Sequence, residues 1–529
     1  MQIKLTTGKP KSDSLIIPLY MGEMRLPGWL SAVDKKLITR LFKTKEFKGE
    51  RGETVLDMSA GTTTKLLLLG LGDPAQLTLD GFLKAVGGAF LRLKRSHSRE
   101  VTLWLPKKFL EKLDAEHLGQ SVAEAAVLSG YSFLQYKTQE KNPPQVKRVF
   151  VLPEFKDLSE AQKKGKSLKD GLRIGESIAQ SVNLTRDYGN SPSNHATPTR
   201  LAEYAKEIAK EFPNLKLTVL GRKEIEKEKM GGLLGVASGS AQEPKFIVLE
   251  YWGAGAPKET SHKKGKPEPK VIGKPIVVIG KGITFDTGGI SIKPRQNLDE
   301  MKFDMAGAAA VLGILRSVAS LKLPLNVVGL IPATENMPSG SAYKPGDILT
   351  MMDGSTVEVM DTDAEGRIVL ADALVYARKY NPELTVDLAT LTGACVVALG
   401  DLMAGLFTQD TKLNDELVHA STHTGDLVWP MPLSDEYTEK MKSPIADIRN
   451  LANTPYGGAI TGAIFLKHFV KDFRWAHLDI AGTAWATGGN AFMEPGATGA
   501  GVRLMVQFLR ERVRADKPQL DKVQADKNK

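Results

Sequence analysis

The chain has 529 residues, of which 42% are hydrophobic and 25% are charged, as in ordinary soluble globular proteins. This length favours two or three domains of roughly 100–200 residues each, and the composition excludes disorder as the main theme. The single cysteine, Cys395, excludes an intramolecular disulfide framework and a cysteine-based structural zinc site, whereas the net charge of +10 leaves a nucleic-acid ligand open.

The first part of the chain alternates short β-like runs with stretches that carry apolar residues at helical spacing. The pattern predicts strands over Ser14–Tyr20, Thr54–Met58, Lys65–Leu71, Val101–Leu105 and Arg148–Leu152, and helices over Asp80–Lys94 and Glu116–Ser132. It indicates an N-terminal α/β domain over residues 1–168, in which no chemical constellation stands out.

A helix is predicted over Lys169–Leu184, ahead of a segment rich in helix breakers that runs from Asp187 to Pro198. We place the domain boundary just before Lys169. Residues 169–529 then form the larger C-terminal domain, and the helix connects the two domains.

Strand and helix patterns alternate regularly in the C-terminal domain. They predict strands over Pro275–Ile279, Leu325–Ile331, Thr356–Met360 and Leu384–Leu388, and helices over Met305–Ser320 and Arg367–Tyr380. This alternation predicts an α/β fold in which each domain has a mostly parallel or mixed sheet flanked by helices. Ligands of such sheets bind beyond the carboxyl ends of the strands.

No targeting or membrane segment is evident. The first ten residues lack an apolar core, and the longest apolar stretches, Met305 to Leu315 and Leu388 to Gly400, are shorter than the roughly 18–20 residues of a spanning helix. We therefore expect a soluble protein of a reducing compartment, the cytoplasm.

Four carboxylates fall where such a sheet builds its ligand site: Asp286, Asp304, Asp363 and Glu365. Clustered carboxylates are costly to hold ionised unless cations neutralise them, which favours a divalent metal site. Taken singly, they could instead be helix caps or turn residues, and Asp304 would suit an N-cap. The spacing from Asp361 to Asp372 also nearly matches an EF-hand calcium loop, but a strand precedes it where a helix is needed.

Two segments carry a family resemblance: Lys281-Gly-Ile-Thr-Phe-Asp286-Thr-Gly-Gly and Asp361-Thr-Asp363-Ala-Glu365-Gly-Arg367. They resemble the two signatures of the leucyl aminopeptidases, or cytosol aminopeptidases, a family of two-metal peptidases. The similarity extends from about Asn190 to Arg510. The sequence departs from the family pattern at Asp361, where the signature usually has Asn, and at Ala306, where a Gly usually follows Asp-Met. Neither position is a metal ligand.

The resemblance implies two divalent metal ions (Mn, Zn or Mg) that activate a bridging water. The tighter site would use Lys281, Asp286, Asp304 and Glu365, and the more exchangeable one Asp286, Asp363 and Glu365. Lys281 would have to bind as a neutral amine, because an ammonium has no lone pair.

The resemblance also implies roles around the metals. Lys293 would stabilise the oxyanion, and Arg367 would anchor a bicarbonate that moves the proton. Met301, Thr390 and Gly393 match positions that line a pocket for leucine-like side chains, although such residues could equally be ordinary core. The expected substrates are peptides with a free N-terminus, and the expected assembly is a homohexamer.

Two alternatives to an enzyme remain open in the sequence. Some members of this family act as DNA-binding architectural proteins, and positive charge is concentrated in Gly253–Lys270, Lys35–Arg51 and Arg514–Lys529. No nucleic-acid-binding motif accompanies these regions, which more often are solvated faces. A catalytically dead scaffold is the other alternative, and the intact set of predicted site residues argues against it.

Overall fold

The computed structural model describes residues 1–8, 12–58, 61–139, 143–255, 273–471 and 473–527. The chain divides into two compact units. The N-terminal unit comprises Met1–Asn183 and Thr487–Pro495, and the C-terminal unit comprises Leu184–Ala486 and Gly496–Lys529. The domain boundary predicted before Lys169 stays a prediction.

The N-terminal unit contains a mixed sheet flanked by helices. Its described strands are β1 Gln2–Leu5, β2 Ser14–Leu19, β3 Thr54–Asp57, β4 Lys65–Gly70, β5 Glu100–Leu105 and β6 Arg148–Pro153. They pair in the order β1-β6-β5-β2-β4-β3, in which only the pair of β3 and β4 is antiparallel among these strands. The helices described here are α1 Ala32–Lys43, α2 Leu79–Arg95, α3 Lys107–Lys112, α4 Ala115–Ser129 and α5 Leu158–Asn190, of which the last part, from Leu184, belongs to the C-terminal unit.

The predicted elements of this unit are present, and the sequence pattern missed others. The strand β1 escaped prediction because it lies at the sheet edge and has no fully buried side chain to give an alternating pattern. Helix α5 begins at Leu158, well before the predicted start at Lys169. Its first turns are rich in lysine and other polar residues, so they give little apolar periodicity.

Among its described residues, the C-terminal unit contains a mixed sheet of nine strands and two small sheets of three and two strands. Its described strands are β7 Leu215–Leu220, β8 Lys245–Trp252, β9 Ile276–Gly280, β10 Gly282–Asp286, β11 Asn326–Asn336, β12 Ile348–Thr350, β13 Thr356–Glu358, β14 Leu384–Ala389, β15 Ala404–Phe407, β16 Val428–Pro430, β17 Ile448–Arg449, β18 Arg474–Asp479, β19 Trp485–Ala486 and β20 Gly496–Ala497. The helices are α6 Pro198–Glu211, α7 Arg222–Lys227, α8 Gly231–Ala237, α9 Ala306–Leu321, α10 Glu365–Ala377, α11 Gly393–Leu399, α12 Thr411–Thr424, α13 Gly458–His468 and α14 Val502–Lys527.

The strands β18, β14, β9 and β11 form the parallel centre of this sheet. Beyond β11 the sheet continues with the antiparallel strands β8 and β7, and beyond β18 it continues with the antiparallel strand β15. The strand β10 pairs with the C-terminal end of β11. The central strands are buried on both faces, which explains their continuous apolar runs. The predicted α/β class, with a mixed sheet in each unit, is confirmed.

One helical stretch in the described chain is long and apolar enough to cross a membrane by length and composition. It runs from Leu298 through α9 to Leu321, and 78% of its most apolar window is buried within the protein. Such burial is typical of the core helix of a soluble protein. A short 3₁₀ helix, Leu298–Met305, forms its first part and carries Asp304.

Candidate active site

Close backbone packing brings the ends of several elements together. Asp286 is the last residue of β10, and Lys281 lies between β9 and β10. A Cβ at Gly280 would lie 2.3 Å from the carbonyl oxygen of Gly307, and a Cβ at Gly307 would lie 2.1 Å from that of Leu388. These two glycines therefore allow the start of α9 to approach β9 and β14, and with it Asp304 comes close to Lys281.

Lys281 is the buried centre of one half of the cluster. Its Nζ lies 2.9 Å from Asp304 Oδ2 and 2.8 Å from Glu365 Oε1, and it donates a hydrogen bond of 2.9 Å to the carbonyl oxygen of Thr390. A Cβ at Gly366 would lie 2.6 Å from this Nζ, so a larger residue there would displace the Lys281 amine from its partners.

Lys293 bridges the carboxylates of the other half. Its Nζ lies 2.8 Å from Asp286 Oδ2 and 2.5 Å from Asp363 Oδ1. Oxygen atoms of Asp286, Asp363 and Glu365 all lie within 4.8 Å of one another. The five predicted metal ligands and Lys293 thus form one continuous cluster.

The cluster has too little positive charge for its four carboxylates. Burial raises the pKa of Asp363 to about 7, with contributions from the charges of Asp286 and Glu365. Burial likewise raises the pKa of Glu365 and of Asp304. Four crowded carboxylates are shared by two lysines, so additional cations would be needed to keep all four ionised.

The two lysines are held in their charged forms by the same carboxylates. Burial alone lowers the pKa of Lys281 and of Lys293, but the neighbouring acids outweigh it and raise both pKa values. Carboxylate oxygens at these separations suit divalent cations, and one carboxylate can bridge two ions. The donor set therefore fits a two-metal centre.

The cap and calcium interpretations of the acids fail on geometry. The N-cap of α9 is Met305 and that of α10 is Ala364, so neither Asp304 nor Asp363 caps these helices. Asp372, the last position of the EF-hand pattern, lies inside α10 and accepts hydrogen bonds from the backbone N–H groups of Leu233 and Met352. It is thereby committed to a structural role away from any calcium loop.

Arg367 is buried in the first turn of α10. Its Nη1 donates a hydrogen bond of 2.8 Å to the carbonyl oxygen of Asn450, and its Nε has no hydrogen bond within the described part of the chain. Burial lowers its pKa, against the charge of Glu365. Arg367 thus combines a buried positive charge with a spare donor, which are the two features that an anion site needs.

The three predicted pocket residues lie on elements that flank the cluster. Thr390 Oγ1 donates a hydrogen bond of 2.7 Å to Asp304 Oδ1, which places it against a predicted metal ligand. Met301 is half-buried in the 3₁₀ helix that carries Asp304, and Gly393 begins α11 with open space where a Cβ would stand.

Sequence reasoning missed Asn336, the last residue of β11. It is the register partner of Asp286, and its Nδ2 donates hydrogen bonds of 2.8 Å to Asp286 Oδ1 and 2.9 Å to the carbonyl oxygen of Thr362. The predicted strand Leu325–Ile331 ends before Asn336, so the sequence pattern did not place this residue at a strand end beside the acids.

Two of the three basic regions have most of their side chains outside what the structure describes. Of the predicted loop Gly253–Lys270, the residues from 256 onward lie outside the described part of the chain, and so do the side chains of the tail from residue 516 onward. Lys35–Arg51 covers most of α1 and the turn after it, in the N-terminal unit.

A lysine-linked carboxylate cluster at the strand ends of a mixed α/β sheet is the arrangement expected of a metal-dependent hydrolase. Models of the "Cytosol aminopeptidase family" match the chain, the catalytic domain over residues 183–506 and the N-terminal domain over residues 16–140. The chain belongs to the cytosol aminopeptidase family, whose members are metal-dependent, and it is an aminopeptidase. The recognition made from the two signatures is confirmed.

Individual relatives agree over nearly the whole chain. A "Probable cytosol aminopeptidase" of Nitrosospira multiformis is 42% identical over 519 residues, which cover 96% of this chain and 95% of the relative. One of Nitrosomonas eutropha is 44% identical over 482 residues, covering 90% and 91% respectively.

Solved structures are similar too. The bottromycin maturation enzyme BotP in complex with Mn has a TM-score of 0.80 and 31% identity, covering 95% of this chain and all of that one. A mutant of the tomato leucine aminopeptidase has a TM-score of 0.80 and 30% identity, covering 96% of each chain.

Proposed function

We propose that this aminopeptidase uses two metal ions to remove leucine-like apolar residues from the N-terminus of peptides. The convergence of four carboxylates and two lysines at the strand ends carries this proposal. The Mn present in the BotP structure supports a divalent ion at such a site.

The ligands would divide between two ions (Mn, Zn or Mg). Lys281, Asp286, Asp304 and Glu365 would hold the tighter ion, and Asp286, Asp363 and Glu365 the more exchangeable one. When bound, such ions supply an activated water and polarise the scissile carbonyl. Lys281 would then be neutral, because its present role of neutralising Asp304 and Glu365 passes to the ions.

Two cationic side chains would act on the reacting peptide. Lys293, fixed between Asp286 and Asp363, would stabilise the oxyanion that forms on the carbonyl. Arg367 would hold a bicarbonate through donors such as its unused Nε, and that anion would move the proton to the leaving amine.

The pocket beside the cluster would select the N-terminal side chain. Met301 supplies an apolar wall, Gly393 leaves space, and Thr390 fixes Asp304 next to the pocket. One methylene of fit in such a pocket changes specificity by about 10–200-fold, so a preference for leucine-like residues over alanine is expected.

The test is hydrolysis of a leucyl anilide by the purified full chain, with and without chelator. We expect activity that is lost on chelation and restored by Mn, Zn or Mg. The N-acetylated substrate should not be cleaved, because its blocked amine could no longer bind a metal ion. Brisk cleavage of the acetylated compound would contradict the proposed exopeptidase mechanism, and full activity after exhaustive chelation would contradict its metal dependence.

We further propose a homohexamer that works in the cytoplasm. Large apolar side chains lie exposed on the C-terminal unit, among them Val397 (90% exposed), Leu402 (75%) and Tyr456 (79%), as is typical of surfaces that other subunits cover. Light scattering should give about six times the 57.5 kDa of one chain. The mass of a single chain would refute the assembly.

A further inference from the structure

A second group of metal-ligating side chains lies outside the active site, between α12 and α14. It consists of His419 and His423 on α12 and Glu511 on α14. We propose that these three residues form a separate site for a transition-metal dication, with zinc as the ion used to test it.

The geometry brings three ligand atoms to one point. His419 and His423 are four residues apart on a helix, so their rings lie on one face. His419 Nδ1 lies 3.1 Å from Glu511 Oε2, and His423 Nδ1 lies 3.0 Å from Glu511 Oε1. The three ligand atoms all lie within 4.8 Å of one another. Ligands about 2.0–2.2 Å from a tetrahedral zinc ion stand roughly 3.4 Å apart, so little movement is needed.

The carboxylate is ready to act as a ligand. Gln507 Nε2 donates a hydrogen bond of 2.8 Å to Glu511 Oε1, and Arg510 Nη1 in turn donates 2.9 Å to Gln507 Oε1. Outer partners of this kind orient ligating carboxylates in known metal sites. The Glu511 carboxylate thus faces both histidines while Gln507 holds it in place.

The donor set selects the kind of ion. Two imidazoles and one carboxylate suit zinc, cobalt, nickel or copper, whereas magnesium and calcium prefer oxygen ligands alone. The site is also open to solvent, because the His419 side chain is 62% exposed. An ion can thus enter, and a water can complete its coordination.

The active-site cluster has a different character. It offers carboxylates and lysine and no histidine among its predicted ligands, so it accepts manganese or magnesium as well. The two sites can be filled separately, and the histidine site would join α12 to α14 with no part in catalysis. Its occupancy would stabilise the folded chain in proportion to the logarithm of the zinc concentration.

The experiment compares the full chain with the double variant His419→Ala/His423→Ala. Both are loaded with manganese and dialysed against zinc at rising concentrations, and bound zinc is counted per chain. We expect the double variant to bind one zinc ion fewer per chain than the unaltered chain. Zinc should also raise the Tm of the double variant by less than it raises that of the unaltered chain. Its manganese-supported activity should equal that of the unaltered chain.

Two further variants keep the result decisive. His419→Gln changes an exposed side chain and should weaken the extra site by at least tenfold even if the double variant folds poorly. His97→Asn is the control, since it removes an exposed histidine elsewhere at a φ of 58°, which asparagine tolerates. Equal zinc counts in the unaltered chain and both cluster variants would overturn the proposal, and the histidines would then only donate hydrogen bonds to Glu511.

Discussion

Lys281 and Lys293 resemble each other chemically but occupy different positions. Lys281 is 3% exposed and contacts Asp304, Glu365 and the backbone, whereas Lys293 reaches in from a loop to Asp286 and Asp363 and keeps 21% of its side chain exposed. The buried lysine is part of the framework of the cluster. The other lysine is partly open to solvent, as its proposed contact with substrate requires.

The variant Lys293→Ala should therefore separate catalysis from metal binding. It removes a cation and leaves every carboxylate in place, so metal content should be unchanged. Turnover should fall by about 10²–10³-fold, as when one oxyanion donor is lost. Glu365→Ala, by contrast, removes a shared ligand and should lose metal. Elemental analysis and steady-state kinetics on the same samples check both results, with the exposed Lys344→Ala as control. Loss of metal from Lys293→Ala would assign that lysine to the framework instead.

Sequence reasoning found the four carboxylates of the site, because clustered acids are costly to hold ionised without cations, and it assigned Lys281, Lys293 and Arg367 through the family resemblance. It could not find Asn336, whose role depends on a register with Asp286 that the sequence does not display. Nor could it separate Thr390 from ordinary core, since the hydrogen bond from Thr390 to Asp304 joins residues far apart in the chain. Contacts between residues so far apart in the chain can be identified only from the three-dimensional structure.

At the scale of elements, helix packing in the N-terminal unit depends on glycine. Helices α4 and α5 approach so closely that a Cβ at Gly171 would lie 1.9 Å from the carbonyl oxygen of Glu116, and one at Gly175 would lie 2.3 Å from that of Gln120. Backbone atoms cannot move aside as the end of a flexible side chain can. Glycine inside a helix costs about 1 kcal/mol relative to alanine, and here it permits the contact.

The variant Gly171→Ala should destabilise the protein by about 1–3 kcal/mol, because the added methyl group forces α4 and α5 apart. Gly165→Ala in the same helix is the matched control. Its Cβ would meet Phe155 at 3.6 Å, an ordinary contact, so better helix propensity should stabilise the protein by up to about 1 kcal/mol. Urea unfolding followed by circular dichroism measures both. If both variants change the free energy of unfolding in the same direction, the close approach of α4 to α5 is not the reason for glycine at position 171.

At the scale of the whole molecule, sequence reasoning divided the chain once, at Lys169. A sequence pattern can mark where one domain ends along the chain, but it cannot show that a later segment returns to an earlier domain. The structure assigns Thr487–Pro495, far beyond that point, to the N-terminal unit. Within that unit Phe492 is buried against Gly87 of α2, and Glu494 pairs with Lys94 at 3.2 Å. A segment that returns from the end of the chain has no local signal in the sequence, so its place follows only from these contacts.

The returning segment should contribute to the stability of the N-terminal unit. Phe492→Ala removes a ring that is 2% exposed and leaves a cavity beside α2, which should cost about 3–5 kcal/mol. Hydrogen exchange should accelerate along Leu79–Arg95, where the ring packs, and denaturant unfolding should report the same loss. Tyr136→Ala, at an aromatic that is 40% exposed in the same unit, should change stability by less than about 1 kcal/mol. Unchanged exchange in α2 would mean that the N-terminal unit is complete without the returning segment. The expected loss of exchange protection and unfolding free energy would instead show that the stability of the N-terminal unit depends on residues more than three hundred positions further along the chain.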